Sequence, residues 1–135
     1  MTQEEKDLLI KDLCARLPYG VKIELTRWVM NDGMCMNTTL EPNHINQLLN
    51  DEDGDAEIKP YLFPLSSMTD EQKQDYQYIT ERWMYDSSYS ISDSIDWLNV
   101  HHFDCRGLIE KGLAIDATGL NIYWLWNWKI IQPKN

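Results

Sequence analysis

The sequence predicts an α+β fold, a small antiparallel sheet packed against about three to four helices, and three observations carry that expectation. Two stretches open with a Thr-x-x-Glu/Gln capping pattern and continue with apolar residues at helical spacing. One run, "VKIEL", alternates apolar and polar residues with the period of a half-buried strand. Turn-forming Gly, Pro, Asn and Asp residues interrupt the chain at short intervals. With 135 residues, 43% of them hydrophobic, the chain has the size of one domain, expected to span residues 1–135.

The first helix is expected in "TQEEKDLLIKDLCARL", where Thr2 and Glu5 form the capping box and Leu9, Leu13 and Leu17 recur on one face. Pro18 and Gly20 end it. Val21, Ile23 and Leu25 then share one face of a strand that can run on to Met30, and "NDG" at 31–33 turns the chain back into "MCMNTTL". The stretch "EPNHINQLLN" reads either as a short helix with Pro42 in its first turn or as an extended arm. "DEDGDAE" fails as a calcium loop. With Gly54 at the sixth position, the first and twelfth ligand positions fall on Leu49 and Pro60, which offer no side-chain oxygen. An acidic hairpin turn into the strand "EIKPYLFPL" is expected instead, with Pro60 and Pro64 pointing to an edge strand or its irregular end.

A second capping box, Thr69 with Gln72, opens a helix that carries Tyr76, Ile79 and Trp83 on one face. "DSSYSIS" is a loop. "SDSIDWLNVHH" is a short helix with a buried stripe of Ile91, Ile95, Leu98 and His102, and "RGLIEKG" is a further helical turn or two closed by Gly112. In the tail, a turn at 117–119 separates two β-like runs. In an extended strand Trp124, Trp126 and Trp128 share one face.

Composition narrows the function. The net charge of −10 arises in residues 41–100, where thirteen acidic side chains face three basic ones. Direct nucleic-acid binding needs a basic footprint and is not expected. The acidic surface reads as a solvating face, as a surface for a basic partner, or as a nucleic-acid mimic that occupies such a partner. No apolar run reaches the roughly 18 residues of a membrane span, and the acidic N-terminus is unlike a signal peptide. A soluble, cytoplasmic chain without a membrane partner is expected. Cys14, Cys35 and Cys105 are odd in number and widely spaced, the pattern of reduced, mostly buried thiols rather than of disulfides or a zinc ribbon.

The densest chemistry lies in "HHFDCRG", residues 101–107. A zinc site needs three or four converging ligands, and adjacent His101 and His102 on a helix point about 100° apart. A Cys105 nucleophile with a histidine base is chemically competent if Cys105 opens a helix. The reading that accounts for every residue is a helix junction: a histidine caps terminal carbonyls, Phe103 plugs the core, Asp104 accepts from the following amides, and Arg106 pairs with Asp104 or Asp96.

"KPYLFPLSSMT" at 59–69 and "DWLNVHHFDCRGLIEKGLAIDATGLNIY" at 96–123 resemble a family of small uncharacterised proteins encoded by gut anaerobic bacteria, often within phages or other mobile elements. The resemblance covers about a third of the chain and implies no reaction, cofactor or partner. Its members usually carry Tyr where this chain has Cys105, and many end near Tyr123, which makes residues 124–135 look like an individual aromatic extension. Its tryptophans are expected either to complete the core or a dimer interface, or to form a platform for sugar rings or a peptide.

The leading expectation is therefore a non-enzymatic protein-interaction domain, in a phage or mobile-element setting, with no cofactor, no metal and a protein partner; a homo-oligomer is left open. The alternatives are a small metal-dependent or cysteine hydrolase centred on His101, His102, Asp104 and Cys105, and an acidic decoy for a nucleic-acid-binding protein.

Overall fold

The computed structural model describes residues 1–25, 36–50, 57–85, 91–120 and 122–123. Within them the fold is α+β. Four helices, α1 (Gln3–Arg16), α2 (Pro42–Leu49), α3 (Asp70–Tyr85) and α4 (Ile91–Val100), accompany four strands, β1 (Lys22–Leu25), β2 (Met36–Thr39), β3 (Ile58–Leu62) and β4 (Ile115–Asp116). The sheet order is β2-β1-β3-β4. Both pairings of β1 are antiparallel, while the short β4 runs parallel to β3.

Local chemistry sets most element boundaries. Glu5 N–H donates to Thr2 Oγ1 at 3.1 Å and Thr2 N–H to Glu5 Oε1 at 2.8 Å, closing the first capping box. Thr69 and Gln72 make the equivalent reciprocal pair before α3 at 2.9 and 3.1 Å. The ambiguous segment 42–50 is a helix. Its cap is unusual, because Glu41 N–H donates to His44 Nδ1 at 2.9 Å, which requires an unprotonated acceptor nitrogen. Burial also holds the His44 pKa below its usual value, against the pull of Glu41.

Leu9 and Leu13 of α1, Val21, Ile23 and Leu25 around β1, Leu48 of α2 and Ile58 and Leu62 of β3 fill the main core. The alternation read in "VKIEL" is the inward face of β1. The helix pair α3–α4 stands beside this core and joins it through rings. Tyr76 meets Trp97 at 5.6 Å, Trp97 lies nearly parallel to Phe103 at 5.8 Å, and Phe63 contacts Phe103 at 6.1 Å and Tyr123 at 5.8 Å. Offset and tilted contacts of this kind contribute about 0.5–1.5 kcal/mol each beyond the area they bury.

Several expectations are corrected. β3 is an interior strand, not an edge, although Pro64 does lie just past its end. Its pairing with β4 begins only at Tyr61, so Pro60 faces a neighbour on the β1 side alone and its missing N–H interrupts no ladder there. Ile95 is 40% exposed. Leu98 is buried as expected, and Ser94 and Asn99 share the inward face with it, because that face meets polar groups of α3 and of the turn after α4. α4 stops at Val100, so His102 is not part of a helical stripe. Cys14 is exposed, being rotated about 100° from the buried Leu13. The "NDG" turn, the segment 51–56, the loop 86–90 and Trp124, Trp126 and Trp128 lie outside the described residues.

Candidate functional site

Two consecutive helix-type terminations shape the stretch 98–113. Phe103 N–H donates to Leu98 C=O at 2.8 Å and His102 N–H to Asn99 C=O at 3.2 Å, the paired bonds of a Schellman motif with His102 in the left-handed position at φ 64°. Ten residues on the pattern repeats: Leu113 N–H donates to Leu108 C=O at 2.9 Å and Gly112 N–H to Ile109 C=O at 3.0 Å, with Gly112 at φ 75°. The segment between holds turns and no regular helix, and the turn expected in "RGLIEKG" is closed by Gly112 as the sequence suggests. Cys105 therefore does not sit at a helix N-terminus, and the dipole that would have activated it is absent.

Residues 102–104 are bridged to Phe63, just past the end of β3. Phe63 N–H donates to His102 C=O at 2.8 Å and Asp104 N–H to Phe63 C=O at 2.9 Å. Three residues before Phe63, the antiparallel ladder of β1 and β3 ends at Ile23 opposite Pro60. The next pair would be Lys22 opposite Tyr61. Tyr123 occupies that rung: Lys22 N–H donates to its hydroxyl oxygen at 2.8 Å, and the hydroxyl donates to Tyr61 C=O at 2.8 Å. Burial raises the Tyr123 pKa well above the usual phenol range, so the hydroxyl keeps its proton.

The four candidate residues go to different partners. His101 stacks on Trp97 at 4.2 Å, and its Nδ1 lies 2.9 Å from the Trp97 carbonyl. That is the capping role expected of a terminal histidine. His102 is buried against the Tyr123 ring at 4.1 Å and 10°, and burial, then the Arg16 charge, then His101, push its pKa down to about 3. Asp104 accepts from Leu108 N–H at 2.9 Å and Ile109 N–H at 3.0 Å, as the junction reading required. Cys105 lies among guanidinium and amide groups, with Arg106 Nη1 at 3.2 Å, Arg16 Nη2 at 3.9 Å and Asn99 Oδ1 at 3.8 Å.

Arg106 pairs with neither Asp104 nor Asp96. It donates to Asp12 Oδ1 at 2.7 Å, while Arg16 Nε donates to Asp12 Oδ2 at 2.8 Å. Asp104 is occupied by two amides and Asp96 faces outward, whereas Asp12 is fully buried. Arg16 is fully buried too, and its Nη2 donates to Phe103 C=O at 2.6 Å. One carboxylate thus clamps two guanidiniums and ties α1 to the turn after α4. Asp12, Arg16, Asn99 and Tyr123 are the residues that sequence reading missed. The available signal was an ionic pair at i and i+4, Asp12 and Arg16, on the same face of α1 as Leu9 and Leu13.

Among the described residues no three His, Cys, Asp or Glu side chains gather as a metal site, and no helix is long and apolar enough to cross a membrane. A cleft of about 260 Å³, bordered by Glu5, Glu57, Lys59 and Lys111, is lined by none of His101, His102, Asp104 or Cys105. No family model, curated protein or solved structure matches the chain.

Proposed function

We propose that this chain is a non-enzymatic protein-interaction module that offers the acidic outer face of α3–α4 to a basic surface on another protein. The observation that carries the reading is Tyr78, a large ring 55% exposed on α3. Helical spacing sets Asp75 three residues before it and Glu81 three after it, both exposed, so the ring is flanked by carboxylates. Arg82 lies over the same ring, 5.2 Å from its centre, which marks the face as one that accepts a guanidinium. Asp70, Glu71 and Asp96 extend the negative surface, and Ile95 adds an exposed apolar group on α4. An exposed aromatic within a charged rim is the composition of an interface anchor.

The hydrolase alternative is the less favoured one, since the side chains of His101, His102 and Asp104 cap, stack and accept backbone amides. The decoy alternative shares the acidic face and differs only in the partner. The resemblance of residues 59–69 and 96–123 to mobile-element proteins favours a phage or mobile-element setting, and the tail tryptophans remain part of the proposed contact surface.

Affinity capture from the native host tests the reading with wild-type protein, a Tyr78→Ala/Asp75→Lys/Glu81→Lys variant and a Trp124→Ala/Trp126→Ala/Trp128→Ala variant. A specific partner should be retained by the wild type, lost from the α3 variant at least tenfold, and released as ionic strength rises toward about 0.5 M. Release by duplex DNA identifies the decoy. Equal recovery on wild type and the folded α3 variant overturns the assignment of the face.

A further inference from the structure

We propose that the cleft between α1, the start of β3 and the turn at 111–113 is a binding site for a small monocarboxylate with a short apolar body, whose charge Lys59 and Lys111 hold. The cleft encloses about 260 Å³, a little under the range of about 300–1,000 Å³ usual for ligand pockets. No residue of α3, α4 or the stretch 101–106 lines it, so it is separate from both the proposed partner face and the helix junction.

The lining sorts into engaged and unengaged charges. Glu5 accepts the Thr2 N–H at 2.8 Å as part of the first capping box, and Glu57 has a partner of its own. Lys59 and Lys111 form no ion pair among the described residues. Lys59 stands opposite Glu24 in the ladder, yet Glu24 takes the Tyr61 hydroxyl at 2.9 Å. The Lys111 ammonium lies close enough to Glu5 to help hold its carboxyl pKa down, behind the larger effect of the Thr2 N–H, which places it near the first turn of α1. The charge left to meet a ligand is therefore positive.

Three further features select the ligand. Leu9, Ile58 and Leu113 form an apolar part of the lining and are themselves buried, so they offer contact to only a few carbons. Gly112 leaves the wall open beside Lys111, since a β-carbon there would meet nothing within 4 Å. The carboxylates of Glu5 and Glu57 at the same rim favour a singly charged anion over a phosphate group, which carries about −1.5 to −2 at neutral pH.

The test is an NMR titration of the isotope-labelled full chain with sodium butyrate, butanol and inorganic phosphate at constant ionic strength. Butyrate should shift the amides of Ile58, Lys59, Lys111 and Leu113 saturably, with a Kd of about 1–50 mM for so few atoms. Butanol and phosphate should bind at least about fivefold more weakly. The double variant Lys59→Gln/Lys111→Gln should weaken butyrate binding about tenfold, each partly exposed charge contact supplying a factor of about three. The wild-type comparison of butyrate with butanol stands by itself if that variant does not fold. No saturable shift up to about 100 mM, equal binding of butanol or phosphate, or an unchanged butyrate affinity in the folded double variant overturns the proposal.

Discussion

His102 combines two costs in one residue. At φ 64° a residue with a β-carbon pays about 1–2 kcal/mol that glycine does not, and a nearly fully buried imidazole must stay neutral. Contact with the Tyr123 ring offsets both. His102→Gly is therefore expected to be more stable than His102→Ala by about 1 kcal/mol, with both below wild type, in urea unfolding. The same residue sets an acid limit. Its folded pKa lies near 3 against 6.5 for the free group, so its contribution is fully present above pH 6.5 and is lost as pH falls toward 3. Over that window stability should decline by about 1.4 kcal/mol per pH unit from this group. His44, shifted in the same direction, adds to the decline. The slope should flatten in a His102→Gly protein, and an unchanged slope would remove His102 as its origin.

At the scale of elements, what was legible and what was not follows from distance along the chain. The capping boxes at Thr2 and Thr69, the alternation of β1 and the stop at Gly112 depend on residues three to five apart, and sequence displays such spacing directly. The Asp12–Arg106 pair and the Lys22–Tyr123 bond span 94 and 101 residues, and nothing local in the sequence announces either. For the same reason the sequence points correctly to Asp104 as an acceptor for nearby amides, but points Arg106 to the nearest carboxylates instead of Asp12 on α1. Tyr123 illustrates the gap most clearly. As sequence it sits inside an apolar run; in the fold its hydroxyl completes a rung of the sheet. Tyr123→Phe removes only that oxygen and leaves Lys22 N–H and Tyr61 C=O without it. A loss of about 2–3 kcal/mol is expected, with the β1–β3 amides losing most protection in hydrogen exchange.

For the molecule as a whole, the stretch 101–106 is a joint among three bodies. Phe103 connects the sheet to the aromatic series leading to α3–α4, Arg16 and Arg106 connect it to α1 through Asp12, and Asp104 orders the turns that lead to β4. The buried ionic clamp is more a specificity device than a source of net stability, since removing one partner of such a pair is costly while an apolar replacement of the whole set is often neutral. The proposed interaction rests instead on the acidic face of α3–α4.

The central claim, that residues 101–105 join elements instead of forming a reactive centre, is tested most directly by equilibrium urea unfolding of Asp104→Ala. Asp104 is buried with both oxygens accepting backbone amides, so a loss of about 2–3 kcal/mol is predicted. Residues kept for catalysis commonly cost stability. An Asp104→Ala protein as stable as wild type, or more stable, would contradict the account.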